Sequence, residues 1–256
     1  MPVSSGFLAF HRTGGRGTPL VLSHGLTDNG LCWSRLAIAL ESDFDIIMLD
    51  SRGHGNSSRI SSAASNDPGQ DIADAINQLN LHSPIVMGHS VGARATAEFA
   101  NVYPHLVSKV ILEDPPFVPV VDPLAADLRR QKFHAQVTLF HSMSDADITA
   151  MGRATALGWH DDEFAAWTAG KRQVDANAMP DYRTPWQDSI ARIATPTLLI
   201  YGEQERGGIV TPAIAAQARQ INPNITAAQI SGAGHNIRRE NFSAYLAAIR
   251  DFLTSS

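Results

Sequence analysis

The chain has 256 residues, is 44% hydrophobic and carries a formal net charge of -5 with 18% charged residues. That length and apolar content suit one large α/β domain with a full core, with or without an insertion. The acidic balance and the lack of a basic block exclude nucleic acid as an expected partner, strand-sized apolar runs exclude a bilayer-spanning helix, and a single cysteine excludes an internal disulfide.

In chain order, Met1 to Gly6 shows neither a basic nor an apolar leader, so a cytoplasmic protein is expected. Gly6 to His11 reads as a first strand, and Pro19 to Ser23 as a short one buried on both faces. His24 to Gly30 is a loop. Trp33, Leu36, Ala37 and Leu40 then recur at helical spacing, with Cys32 read as a small buried hydrophobe. Phe44 to Leu49 is a strand, and Ser51 to Ser58 is a glycine-punctuated loop. Ile72, Ala73, Ile76 and Leu79 mark a helix. The strand Pro84 to Met87 runs into Gly88-His89-Ser90-Val91-Gly92 and a small-residue helix from Ala93. Val107 to Leu112 is another strand, ending at Glu113-Asp114. From Pro115 to Ala194 no strong strand is read, only helices near 124–133, 146–157 and 163–174. Strand-and-helix alternation resumes at Thr197 to Tyr201, with strand Ala227 to Ile230 and an amphipathic helix through Phe242, Tyr245 and Ile249. Such an order implies a mostly parallel sheet flanked by helices, with core segments 1–114 and 195–256 and a helical insertion over 115–194.

The strand–turn–helix around Ser90 is the setting of a nucleophile elbow, where a sharp turn lifts a serine hydroxyl clear of the sheet. Glycines two residues to either side remove the Cβ atoms that would collide there. A serine needs a base to take its proton, and an imidazole titrates in the right range. Of ten histidines, His235 is the expected base, since its Gly-Ala-Gly-His loop follows the last strand. His24, His54 and His89 lie in nearby loops and are read as holding backbone. His11, His82, His105, His134, His141 and His160 are read as surface or packing residues. No histidine pair has zinc-ligand spacing with a carboxylate, so neither a metal nor a cofactor is expected.

Together, His24-Gly25, Asp50 to Ser57, Gly88 to Gly92, Gly202-Glu203-Gln204-Glu205 and Gly234-His235 resemble the α/β-hydrolase superfamily across essentially the whole chain. The resemblance implies an α/β-hydrolase fold with a helical cap between core strands six and seven of the family. It implies Ser90 as nucleophile, His235 as base, and the backbone N–H groups of Leu26 and Val91 as the oxyanion hole. The acid departs from the family pattern. Glu205 stands where an aspartate is usual, Glu203 is close by, and in some relatives the acid follows the sixth strand, here Asp114. Glu205 is the first choice and Asp114 the alternative. The cap region holds Trp159, Trp167 and Trp186 with Phe117, Phe133, Phe140 and Phe164, read as a pocket roof or as the cap's own core. Trp33 and Val118 are further lining candidates, because ligand pockets are mostly apolar.

The implied activity is serine hydrolysis of a small hydrophobic ester, lactone or thioester through an acyl-enzyme. A carbon–carbon bond hydrolase and a cofactor-free perhydrolase use the same triad. A ligand receptor on the same fold is the non-enzymatic alternative. Dehalogenase or epoxide hydrolase chemistry is disfavoured, since those relatives carry aspartate where this chain has Ser90. A small-molecule substrate is expected, with no nucleic acid or membrane partner and an oligomeric state the sequence leaves open.

Overall fold

The computed structural model describes residues 7–60, 66–156, 158–182 and 184–255. The start of the expected first strand at Gly6, the end of the 146–157 helix at Leu157 and the expected leaderless start all fall outside them.

Among the described residues, seven strands form one sheet: β1 (Phe10–Arg12), β2 (Thr18–Ser23), β3 (Phe44–Leu49), β4 (Ile85–His89), β5 (Lys109–Glu113), β6 (Thr197–Tyr201) and β7 (Ile225–Gln229). Their spatial order is β1-β3-β2-β4-β5-β6-β7. All neighbours pair in parallel except β1, which runs antiparallel to β3. β1 is shorter than expected because the chain before it bonds elsewhere. Phe7 and Ala9 donate their N–H groups to the Ser58 and Ser57 hydroxyls and so pin the 51–58 loop, while the Ala9 carbonyl adds one last bond to the ladder from Asp50 N–H.

Around the sheet lie α1 (Ser34–Leu40), α2 (Pro68–Gln78), α3 (Val91–Val102), α4 (Pro123–Ser142), α5 (Asp145–Thr155), α6 (Glu163–Gln173), α7 (Trp186–Ile190), α8 (Pro212–Ile221), α9 (Ile237–Glu240) and α10 (Phe242–Thr254). Successive strand side chains point to opposite faces. Val21, Val86 and Val110 therefore join one core with Ile72 and Ile76 of α2, Phe99 of α3 and Ala215 and Ala218 of α8. Leu22, Met87 and Ile111 join the other, with Leu36 and Leu40 of α1 and Tyr245 and Ile249 of α10. Among the described residues, no helix is long and apolar enough to cross a membrane.

The helical stretch α4 to α7 lies between β5 and β6, the fifth and sixth strands of this sheet. It does not pack as one unit. Phe133 and Val137 of α4 gather with Ile60, Val174 and Ala178 in a small separate cluster, against which Leu26 rests. Trp186 and Ile190 of α7 belong instead to the main core, with Trp186 stacked on Phe117 at 4.6 Å.

Backbone approaches backbone closely at the β4–α3 turn. A Cβ on Gly92 would lie 2.4 Å from the Ser23 carbonyl oxygen and 2.5 Å from that of His24. Both contacts are backbone, so nothing there can swing aside. Gly92→Ala is expected to cost about 3 kcal/mol or more through overpacking, lowering the melting temperature by roughly 10 °C. A thermal melt matching wild type would contradict this close approach.

Candidate active site

The loops at the carboxyl ends of β2, β4, β5 and β6 converge, as open parallel sheets dictate for ligand sites. Ser90 sits between β4 and α3 with φ 54° and ψ -121°, a strained left-handed position for a residue with a side chain. Its N–H donates to the Glu113 carbonyl at 2.8 Å, which ties the turn to the end of β5. Glycine at 88 is required on the near side, since a Cβ there would lie 2.3 Å from the Gly92 oxygen.

His235 Nε2 stands 3.0 Å from the Ser90 hydroxyl, and its Nδ1 stands 2.6 Å from Asp114 Oδ2. Asp114 is fully buried. Its oxygens already accept the N–H groups of Ile209, at 2.9 and 3.2 Å, and Val210, at 2.9 Å. An acceptor-only carboxylate requires the imidazole proton to be on Nδ1, which leaves Nε2 free to accept from serine. Asp114 also has a positive φ of 42°, and its N–H donates to the Ile200 carbonyl.

The carboxylate that meets His235 is Asp114, the alternative acid, and not Glu205. Glu205 is exposed in the short 3-10 turn Gln204–Arg206 and makes no bond to His235. Glu203 accepts from Gly232 N–H and from Arg206. The loop after β6 reaches the histidine through Asp114, by offering it two backbone amides, and contributes no carboxylate of its own.

Val91 is the first residue of α3, so the helix leaves its N–H without an intrahelical acceptor. Leu26 lines the same cavity as Ser90 and Val91. Two buried histidines hold its peptide. His54 Nε2 donates to the Leu26 carbonyl, and His24 Nδ1 donates to the Gly25 carbonyl at 2.8 Å while its Nε2 accepts from Ser51 N–H. His89 donates to the carbonyl of His235 at 3.0 Å. Val118 lines the cavity with Ser90, and Trp167 lines an adjoining cleft with Ser90 and His235. Trp159 packs edge-on against Trp167 and lies beneath the Arg239 guanidinium. Trp33 and Trp186 do not reach the serine. Trp33 is fully buried in the α1 core under Arg238, and Trp186 is in the opposite core. Cys32 is buried, and burial pushes its thiol up to about 11, which leaves it inert.

Sequence reasoning passed over a buried ionic network behind the histidine. Asp28 accepts from Arg238 at 2.9 Å and Arg239 at 3.1 Å and lies 3.5 Å from Lys171. Arg238 also meets Glu113, and Arg239 meets Glu163. Burial alone would raise the Asp28 carboxyl, but Arg239, Lys171 and Arg238 hold it well below its ordinary value. Burial brings the Lys171 ammonium down to about 8 despite Asp28. The network clamps α6 and α9 onto the loop that carries Leu26. Glu240 completes the clamp by accepting from Gly234 and Asn236 on either side of His235. In the sequence these charges are scattered over the loop after β2, the end of β5, α6 and α9, and form no local motif.

Residues 18–241 match the family model for the alpha/beta hydrolase fold, and the chain belongs to that family. It is 28% identical to 2-(acetamidomethylene)succinate hydrolase of Mesorhizobium japonicum over 94% of this chain and 90% of that protein. It is 29% identical to N-formylmaleamate deformylase of Pseudomonas putida over 94% of this chain and 91% of that protein. The solved structure of E-2-(acetamidomethylene)succinate hydrolase superposes with a TM-score of 0.80 at 24% identity, over 97% of this chain and 95% of that one, a likeness that shows the fold.

The three buried histidines give the site an acid-labile frame. Burial lowers all three, His24 to about 4 with help from neighbouring His54, and His89 well below its ordinary value. In the unfolded chain a histidine titrates near 6.5. Their contribution is thus fully present above pH 6.5 and is lost as pH falls towards 4, by about 3 kcal/mol for His24 alone at the end of that window. Denaturant melts between pH 6.5 and 5, where most carboxylates stay ionised, are expected to show stability falling. His24→Gln should flatten that slope, and an unchanged slope would contradict the assignment.

Proposed function

We propose that the protein is a serine hydrolase working through an acyl-enzyme. The carrying observation is the unbroken hydrogen-bond chain from Asp114 through His235 to Ser90. Ser90 Oγ attacks the acyl carbon and its proton passes to His235 Nε2. Asp114 accepts from Nδ1 throughout, which fixes the tautomer and stabilises the imidazolium. The oxyanion is received by the N–H groups of Val91 and Leu26, donors of a kind worth roughly 3–4 kcal/mol each to the barrier. His235 returns the proton to the leaving group, and a water activated by the same imidazole releases the acid. In this reading α4 to α6 form a cap over the serine, and the substrate is a small molecule.

The ester, lactone or thioester expected from the sequence is one class of acyl donor such a site takes. The full-length match to an acetamidomethylenesuccinate hydrolase and an N-formylmaleamate deformylase favours a second class, the acyl carbon–nitrogen bond. Both leave through the same protonation at His235 Nε2, and a nitrogen leaving group depends on it more heavily.

A panel of small esters, thioesters and N-acyl compounds separates these classes. Ser90→Ala is expected to lower kcat/KM by at least about 1,000-fold on whichever is cleaved. Activity held at the wild-type level in that variant would sink the proposal. Asp114→Asn should lose a comparable factor through the wrong tautomer, while Glu205→Gln should stay within about twofold of wild type. The reverse order would return the acid to Glu205.

A further inference from the structure

The nucleophile faces two hollows, and they differ in how far their cations are already paired. In the cleft that contains His235, Lys171 and Arg239 are both engaged: Lys171 by the Thr27 carbonyl and Asp28, Arg239 by Asp28 and Glu163. Those charges are neutralised within the protein. The other hollow, of about 200 Å³, is bounded by Ser90, Val91 and Leu26 on one side and by α4 and the 179–182 segment on the other. Its floor and sides are apolar, with Val118, Val120 and Ile209 among them.

Arg129, Arg130, Asp181 and Tyr182 interrupt that apolar wall. Arg129 and Arg130 both come from α4, on the stripe that Ala126 begins and Phe133 and Val137 continue into the small core. Arg130 is shared between Asp127 and Asp181. Arg129 forms no ion pair among the described residues, and its charge bears on the Tyr182 phenol. The Tyr182 hydroxyl is buried and has no hydrogen-bond partner among the described residues. Its ring is fixed by Arg94, whose guanidinium lies 4.9 Å above it and is itself held by Glu98 and the Thr184 carbonyl. Burial raises the phenol well above its ordinary value, so it is present as an O–H donor. A buried hydroxyl without an acceptor is costly, and the Arg129 guanidinium, lining the same hollow, offers a positive charge.

We propose that Arg129 and Tyr182 form a carboxylate subsite, so that the substrate is a small acid held by its carboxylate while its acyl carbon lies at Ser90. A carboxylate supplies the acceptor Tyr182 lacks and the single negative charge Arg129 lacks. The intervening wall accommodates a short apolar spacer. The proposal rests on the acyl-transfer reading for the reacting end, but the anion site itself does not require turnover.

Two measurements test it. Hydrolysis of monomethyl succinate against dimethyl succinate compares one ester with and without a distal carboxylate. Wild type should prefer the anionic ester in kcat/KM, mainly through KM, and Arg129→Gln should reduce that preference about tenfold or more. Tyr182→Phe should reduce it in the same direction, and Arg129→Lys should restore part of it. Calorimetric titration of succinate, with succinamide as the neutral control, reads the subsite without chemistry in both wild type and Ser90→Ala. Succinate bound by wild type and by Ser90→Ala, and weakened about tenfold by Arg129→Gln, supports the subsite. Succinate binding absent from wild type, or equal in Arg129→Gln, overturns it. Succinate binding that depends on Arg129 in a protein that cleaves neither ester nor amide leaves the subsite standing and removes the acyl-transfer reading.

Discussion

Two strand ends do most to define this molecule. At the end of β4 and just past the end of β5, the chain turns out of the sheet through a non-glycine residue with positive φ: Ser90 at 54° and Asp114 at 42°. Each uses its own N–H to extend the ladder by one bond to the next strand, Ser90 to Glu113 and Asp114 to Ile200. Conformations of this kind cost of order 1–3 kcal/mol each and persist only where the surroundings over-determine them. Here the parallel register does so. His89 pairs with Glu113, and Glu113 with Ile200, so the two strained residues are set by one row of the sheet. Any slip in that row would move both out of reach of His235.

The histidine itself lies on a loop, and loops are not rigid by default. Its position depends on the ionic network behind it. Three acids, Asp28, Glu113 and Glu163, meet three bases, Lys171, Arg238 and Arg239, in a region where water is excluded. Buried ion pairs add little net stability once desolvation is counted, but removing one partner is expensive. The network therefore acts less as a source of stability than as a fixed geometry. It joins α6, α9, the end of β5 and the loop carrying Leu26, so the base, the Leu26 N–H and the helices above them move as one body. Gly170 makes the contact possible, because a Cβ there would meet the Thr27 carbonyl at 2.9 Å.

Much of this was legible from residue order. The elbow glycines, the alternation of strand and helix and the terminal Gly-His all report on backbone geometry, which short sequence patterns encode well. The acid was harder. Glu205 and Asp114 are each one loop from the base, and the difference between them lies in the third dimension, in which strand end the loop after β6 folds across. That loop turned out to offer amides where a carboxylate was expected. The aromatic residues misled for a related reason. Trp33 and Trp186 are as apolar as any pocket wall, and only packing distinguishes a core side chain from a lining one. Arg129 and Arg130 carry no sequence signal of their own, since adjacent arginines on a helix look like any solvated face, and only the fold places them on the rim of the hollow that contains Ser90.

The contrast between the two hollows explains why so much charge near Ser90 leaves so little of it available. A cation already compensated inside the protein presents no net attraction to an incoming anion, and the field of Lys171 and Arg239 is closed by Asp28 and Glu163. Arg130 is closed in the same way by Asp127 and Asp181. Charge selectivity then falls to the one guanidinium on this rim without an ion pair among the described residues. Being partly solvated, it costs little to maintain while the site is empty. Its attraction strengthens only when a ligand covers it and lowers the local dielectric. The buried side chains thus hold the reacting groups in place, and the exposed arginine is left free to choose what reaches them.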